Sequence, residues 1–279
     1  MPAPGTVAPP SVALAARRPD AGLQAALDAV LEACDLPGAG VFVLDLEGGR
    51  VAFNRPDDAF YPASIIKVPV MVEVVRQIAF EGLDPEIDLE VTAAHWTETW
   101  KPEFAVGDRA PLRRMLDLMI TRSDNAATNV LIDVAGRHAI DAFMAALGVP
   151  EIRVRRKLGG NAPMPDADWT GGRNAMTPRA TATLFEWLAG GVLVNAAGSA
   201  RMLEILGRQE DRDCLPRGLP PGARIYHKTG RTSEVTHDAG LVERPPARYV
   251  LVVFTERSPS DRTCDAIGRV AAAVDAAIG

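Results

Sequence analysis

One short stretch constrains this chain most, because it combines an apolar helix with two reactive side chains. Residues 60–70 read FYPASIIKVPV, which indicates a turn that opens into a buried helix. Ser64 stands at the start of that helix and Lys67 follows one turn later, so the hydroxyl and the amine share a face and can meet. The N–H groups of a helix start also stabilise an oxyanion. The stretch therefore predicts a nucleophilic serine beside an amine base.

A Ser-x-x-Lys spacing is weak evidence alone, since about one match is expected by chance in a chain of this length. For an isolated match, Ser64 as a simple N-cap and Lys67 as a solvated side chain is the better explanation. Lysine usage adds weight: of the 30 Lys and Arg residues only four are lysines. Arg keeps its proton at working pH, whereas a desolvated Lys can lose it and act as a base. The four are Lys67, Lys101, Lys157 and Lys228.

Composition limits the binding partners of the chain and the cross-links that it can form. With 279 residues, 47% of them hydrophobic, the chain can bury one large core. A net charge of −6 offers no basic surface for nucleic acid, and no apolar run reaches the roughly 18 residues that span a bilayer. Three cysteines are scattered without metal or redox spacing, which predicts no obligatory disulfide. They are Cys34, Cys214 and Cys264.

Hydrophobic periodicity predicts an α/β (α+β) fold, an antiparallel sheet of about five strands flanked by terminal helices, with an inserted all-α domain. The predicted domains are a sheet domain, residues 21–57 plus 211–279, and a helical domain, residues 58–210, with the active site between them. A Pro/Ala-rich leader, residues 1–20, lacks the apolar segment of a secretory signal, which favours a cytoplasmic location over export. Strands are predicted at 39–46, 51–54, 223–228, 239–243 and 248–255, and helices at 21–34, 64–80, 112–120, within 133–147, from 178 and at 261–278.

Two further motifs follow the first in order. Ser-Asp-Asn occupies 123–125 after a predicted helix, and Lys-Thr-Gly occupies 228–230 at the end of a predicted strand. Either tripeptide alone is typical of a turn. All three motifs in this order are expected by chance in about one chain in a thousand.

With these motifs the chain resembles the β-lactamases and penicillin-binding proteins, whose motif set is S-x-x-K, S-D-N and K-T-G. Ser-Asp-Asn and the spacings resemble class A β-lactamases more than DD-peptidases. The resemblance covers nearly the whole chain from about residue 21 and implies the β-lactamase-like fold. It also implies a monomeric serine hydrolase that opens β-lactam rings, needs no cofactor or metal, and takes a small β-lactam or D-Ala-D-Ala-like substrate.

The resemblance also implies a role for each motif residue. Ser64 would be the acyl-accepting nucleophile, Lys67 the group that removes its proton, and Ser123 the donor to the leaving nitrogen. Lys228 would keep the site positive, and two neighbouring lysines lower each other's pKa. Substrate would bind Asn125, Thr229, Gly230 and Arg231, and the oxyanion would face the backbone N–H groups of Ser64 and Arg231.

Two neighbouring residues carry two interpretations each, and two histidines carry one. The side chain of Arg231 either steers an anionic carboxylate or is a solvated surface group. Trp100 either lines the cleft mouth or packs against the protein. His227 and His237 lack metal-binding spacing and are predicted to be structural.

The chain departs from class A in one respect. Class A enzymes carry a loop Glu that activates the water releasing the acyl group, yet the corresponding stretch here, 157–161, reads KLGGN. No Glu occurs between Glu151 and Glu186. We therefore predict acylation with slow release, unless another group serves as the base. The candidates are Asp166, Asp168 and Lys67; Asn174 is polar but no base.

Two alternatives stay open at this point. A DD-peptidase, transpeptidase or esterase would use the same acyl-serine chemistry; the missing Glu favours it, whereas Ser-Asp-Asn and the absence of a visible export signal do not. A non-catalytic module that binds β-lactams or peptidoglycan fragments would keep the fold alone, although binding does not require a Lys beside a Ser.

Overall fold

The computed structural model describes residues 14, 17–97, 102–159, 166 and 171–279, so most of the predicted leader lies outside the described residues. The helices are α1 (Ala21–Ala33), α2 (Lys67–Phe80), α3 (Leu112–Thr121), α4 (Asn125–Ala135), α5 (Arg137–Ala146), α6 (Pro178–Ala189), α7 (Ala196–Leu206) and α8 (Asp261–Ile278). The strands are β1 (Gly40–Asp45), β2 (Val51–Asn54), β3 (Asp88–Glu90), β4 (Arg109–Pro111), β5 (Arg224–Arg231), β6 (Thr236–Arg244) and β7 (Ala247–Thr255). Two 3₁₀ turns cover Ala63–Ile66 and Leu215–Gly218.

Five antiparallel strands form the main sheet in the order β2-β1-β7-β6-β5, which confirms the predicted fold. Both faces of this sheet are covered, because alternate residues of one strand enter different cores. In β1, Phe42 and Leu44 pack into the core shared with α2 to α7, whereas Val41 and Val43 pack into the core beneath α1 and α8. Burial on both sides explains why β1 and β7 are continuous apolar runs. β5 lies at the edge of the sheet.

The periodicity missed α4, α7 and the small antiparallel pair of β3 and β4. Helix α7 contains Gly198 and Ser199, both buried, which weaken the apolar stripe that a sequence pattern requires. Gly198 suits that position because a Cβ there would stand 3.0 Å from Val75, so α7 packs closely on α2. The division into a sheet domain and a helical domain stays a prediction.

The prediction of no disulfide is wrong for two of the three cysteines. Cys214 and Cys264 form a disulfide across a sequence separation of 50, and Cys34 is free. The turn Leu215–Gly218 lies against α8, where Gly218 leaves room for the backbone of Gly268. This contact depends on tertiary packing, so cysteine spacing did not reveal it.

Within the described part of the chain, no helix combines the length and the apolarity that crossing a bilayer requires. Among the same residues, no group of three or more His, Cys, Asp or Glu side chains could hold a metal ion.

Candidate active site

The first motif lies on a short 3₁₀ turn rather than on a regular helix. Ala63–Ile66 form this turn and α2 continues from Lys67. Pro69 has no N–H for the carbonyl of Ile65, which accounts for the irregular start of the helix. Side chains three apart eclipse in a 3₁₀ turn, so Ser64 and Lys67 share a face. From residue 62 to residue 70, every residue except Ser64 is buried.

Lys67 connects the first motif to the second. Its Nζ donates to the carbonyl oxygen of Ser123 (2.7 Å) and to Oδ1 of Asn125 (2.8 Å), and lies 3.0 Å from Oγ of Ser123. Ser123 adopts a left-handed backbone with φ of 59°, and Asp124 caps α4 by accepting the N–H of Ala127 at 2.7 Å. The strained turn therefore presents both a hydroxyl and a carbonyl to one amine.

The environment of Lys67 favours the neutral amine. The side chain is fully buried, and burial lowers its pKa well below the usual lysine range. The positive charge of Lys228 lowers this pKa further, and the Asp124 carboxylate opposes the shift. A neutral amine can accept a proton, which is the property that a general base needs.

The third motif lies at the free edge of the sheet. Lys228 is fully buried in β5, donates to the carbonyl of Thr229 at 2.9 Å, and has its pKa lowered to about 7 by burial, against the opposing effects of Asp211 and Asp238. Gly230 faces the first motif: a Cβ at this position would stand 2.8 Å from the carbonyl oxygen of Pro62 and 3.3 Å from the backbone nitrogen of Ser64. Glycine is therefore required for the two segments to approach.

Arg231 directs its guanidinium to other protein groups. Nη2 lies 2.9 Å from Oδ1 of Asp211 and within 3.5 Å of both sulfurs of the Cys214–Cys264 disulfide. The predicted steering role of the Arg231 side chain thus competes with an ion pair.

His227, which the sequence predicted to be structural, is buried, and its Nδ1 lies 2.8 Å from Oδ1 of Asp238.

A residue that the motifs do not include connects the site to the loop of residues 155–177, which contains the stretch without a Glu. Asn129 lies one turn beyond Asn125 on α4; its side-chain amide accepts the N–H of Leu158 at 2.7 Å and donates to the carbonyl of Leu158 at 2.8 Å. Residues four apart on a helix share a face, so Leu158 is held about one helical turn from the Lys67 contacts. The i+4 spacing from Asn125 was the only sequence signal for Asn129.

The loop carboxylates have structural partners or lie outside the described residues. Asp166 forms an ion pair with Arg137 and accepts the N–H of Lys157 at 2.8 Å. Burial raises the pKa of Asp166, but the hydrogen bonds from Arg137 and Lys157 outweigh it and the net shift is downward. Asp168 and Trp100 lie outside the described residues.

Asn174 helps to hold the same loop in place. Its Oδ1 accepts the N–H groups of Arg155 and Arg156 at 2.7 and 2.9 Å, and its Nδ2 donates to the carbonyl of Arg156 at 3.1 Å. The Asn174 amide is therefore used for structure.

Comparisons with known proteins identify the family that the chain resembles. Residues 22–278 match the model of the family described as the β-lactamase enzyme family. The chain is 28% identical to a β-lactamase of Streptomyces albus G over 240 residues, or 81% of this chain and 74% of that protein. The crystal structure of a β-lactamase from Sphaerobacter thermophilus is similar with a TM-score of 0.81 at 27% identity, covering 91% of this chain and 97% of that one. An acyl-enzyme complex of a PBP-A variant with penicillin G is similar with a TM-score of 0.80 at 28% identity, covering 92% and 96%.

Proposed function

The chain belongs to the β-lactamase enzyme family, and on that premise we propose that it hydrolyses β-lactams through an acyl-Ser64 intermediate that it releases slowly. The observation that carries this proposal is the buried amine of Lys67, which contacts Ser123 and Asn125 on the face that it shares with the half-buried Ser64. Burying a charged lysine costs free energy, so the group shifts its pKa toward the neutral form. A buried lysine with a strongly shifted pKa is typical of a functional site.

In the proposed acylation, neutral Lys67 takes the proton of Ser64 as Oγ attacks the lactam carbonyl carbon. The oxyanion that forms is bound by the backbone N–H groups of Ser64 and Arg231, each worth on the order of 3 kcal/mol. The lactam C–N bond then breaks, and Ser123 passes a proton from the amine to the leaving nitrogen. The close approach of Gly230 to the Ser64 nitrogen supports this placement of the two donors.

The proposed substrate contacts follow from the remaining polar groups. Lys228 and Thr229 would bind the carboxylate of the substrate, and Asn125 would bind its side-chain amide. Because the guanidinium of Arg231 already pairs with Asp211, we assign only its backbone N–H to the site.

Slow release follows from the residue that stands in the loop where a Glu is expected. Asn129 holds the backbone of Leu158 at this position, and a leucine cannot activate water. Asp166 is ion-paired with Arg137 and so is not free to serve as a base. General-base assistance contributes about 10²–10⁴-fold in rate, so deacylation should be slower by that order.

Mixing the protein with a chromogenic cephalosporin tests the proposal. We expect a burst of one equivalent, an acyl adduct in the intact mass spectrum, and a slow steady state. Ser64→Ala should show neither burst nor adduct. Fast turnover without a burst would contradict slow release, and absence of any adduct in the wild type would contradict acylation itself.

A second candidate function is a DD-peptidase or esterase with the same acyl-serine chemistry, which Leu158 and the likeness to PBP-A favour. Rates on a D-Ala-D-Ala peptide, a thioester and a cephalosporin separate the two candidates. A non-catalytic module would instead bind substrate-like ligands with equal shifts of Tm in the wild type and Ser64→Ala.

The pKa of Lys228 predicts a pH dependence. Burial lowers this pKa to about 7, so the side chain is positive below that pH and loses its charge above it. We expect the acylation efficiency of a β-lactam carboxylate to fall as the pH rises through about 7, since the anion then loses its cationic partner. The methyl ester of the same compound is the control and should lack this decline. Lys228→Arg, which keeps its charge, should also lack it, and an unchanged decline in that variant would contradict the assignment.

A further inference from the structure

His237 lies in β6 directly opposite Gly230 of β5, so both residues face the same side of the sheet. The imidazole is fully buried. Its Nδ1 accepts the N–H of Thr255 at 3.0 Å, which leaves Nε2 to carry the proton and donate to the carbonyl of Tyr61 at 2.9 Å. The hydrogen-bond network thus defines the tautomer, and the ring connects two strands to the segment that precedes Ser64.

That segment needs an external support. Ala63 precedes the serine with φ of 46°, a left-handed conformation that is unfavourable for a residue with a side chain. Such a conformation persists only where the surroundings hold it. Phe60 is fixed by backbone hydrogen bonds of 2.9 and 3.1 Å to Met176, and the next residue, Tyr61, is fixed by His237. These two contacts anchor the backbone just before the strained residue, and the guanidinium of Arg173 also lies over the Tyr61 ring at 4.2 Å.

The neighbours of His237 keep the imidazole neutral, with its single N–H on Nε2. Its ring packs on Phe254 with 4.8 Å between ring centroids. Burial lowers its pKa to about 4, against the opposing effect of the hydrogen bond to the Tyr61 carbonyl. At neutral pH the imidazole is uncharged and retains a single N–H, which points at the Tyr61 carbonyl.

We propose that His237 is a positioning residue for acylation. Through the Tyr61 carbonyl it sets how closely Ser64 approaches the Gly230 edge of β5, where the two oxyanion donors meet. Gly230 allows the approach by lacking a side chain, and His237 fixes it by a hydrogen bond from the opposite register position. This inference rests on the proposed function of Ser64.

Two amide variants separate the two hydrogen bonds of the imidazole. In His237→Asn the amide oxygen takes the place of Nδ1 and can still accept from Thr255, but the side chain is too short to reach Tyr61. In His237→Gln the longer side chain places an N–H near the position of Nε2. Thr255→Val is the matched control, because it removes a buried 2.7 Å hydrogen bond to Thr236 in the same part of the sheet without touching the Ser64 segment.

The test is single-turnover acylation by a chromogenic cephalosporin, with the rate constant and the binding constant resolved separately. We expect His237→Asn to acylate about 10²-fold more slowly with binding changed less than about threefold, as a misplaced nucleophile would. His237→Gln should recover at least about tenfold of that loss, and Thr255→Val should stay within about threefold of the wild type. Wild-type rates in His237→Asn, or an equal loss in Thr255→Val, would overturn the proposal.

Hydrogen exchange measured by mass spectrometry provides a readout that does not depend on activity. Peptides covering residues 60–66 should exchange faster in His237→Asn than in the wild type and in Thr255→Val, with β7 peptides unchanged in His237→Asn. If the wild type forms no acyl adduct, the proposed function fails while this measurement still decides the positioning role. Unchanged exchange in residues 60–66 would refute it.

Discussion

Leu158→Glu is expected to raise steady-state cephalosporin hydrolysis by about 10²–10⁴-fold, the range that general-base assistance contributes. The side chain of Asn129 hydrogen-bonds both the N–H and the carbonyl of Leu158. Asn129 lies one helical turn beyond Asn125, which contacts Lys67. We expect a carboxylate introduced at position 158, about one helical turn from the Lys67 contacts, to orient the hydrolytic water. The burst should shrink or vanish because release would no longer limit turnover.

The matched control is Leu158→Gln, which has the size and polarity of Glu but no basic carboxylate. It should keep the slow steady state, and both variants should acylate at a rate close to that of the wild type. Leu158 is only 6% exposed, so both substitutions should lower Tm, since each buries a polar group. Equal turnover in the two variants would show that a base at this position does not accelerate release.

Replacing Lys67 should have the second large effect. We expect Lys67→Met to slow acylation by at least about 10²-fold, because it removes the proposed base from the shared face with Ser64. It also leaves the carbonyl of Ser123 and the side chain of Asn125 without their shared donor. Stopped-flow acylation by the same cephalosporin measures the loss.

Lys67→Arg distinguishes a base from a fixed charge. Arginine keeps its positive charge and can donate to the same acceptors, but it cannot give up a proton at working pH. If Lys67 is the base, Lys67→Arg should be as slow as Lys67→Met. Near wild-type acylation in Lys67→Arg would show that the charge matters and the proton transfer does not. With the methyl ester, whose acylation does not depend on Lys228, the wild-type rate should rise with pH as the Lys67 amine loses its proton.

Local patterns predicted the parts of the fold that depend on neighbours in sequence. The strands β1 and β7 follow from continuous apolar runs, because both of their faces are buried, and the boundaries of α1 and α8 follow from the apolar stripe that each helix buries on one side. Patterning failed for α7, whose small polar residues are buried by contact with α2, and for the cysteine pair, whose partners come from distant turns.

The site divides in the same way. The sequence by itself determined that Ser64 and Lys67 share a face, since three residues of helical chain ensure it, and that no loop glutamate is available. Only the tertiary structure decided that Asn129 holds Leu158, that Arg231 pairs with Asp211, and that His237 supports Tyr61. Those contacts join side chains from segments far apart in the chain, and which atoms meet depends on strand register and helix packing, neither of which a local pattern encodes.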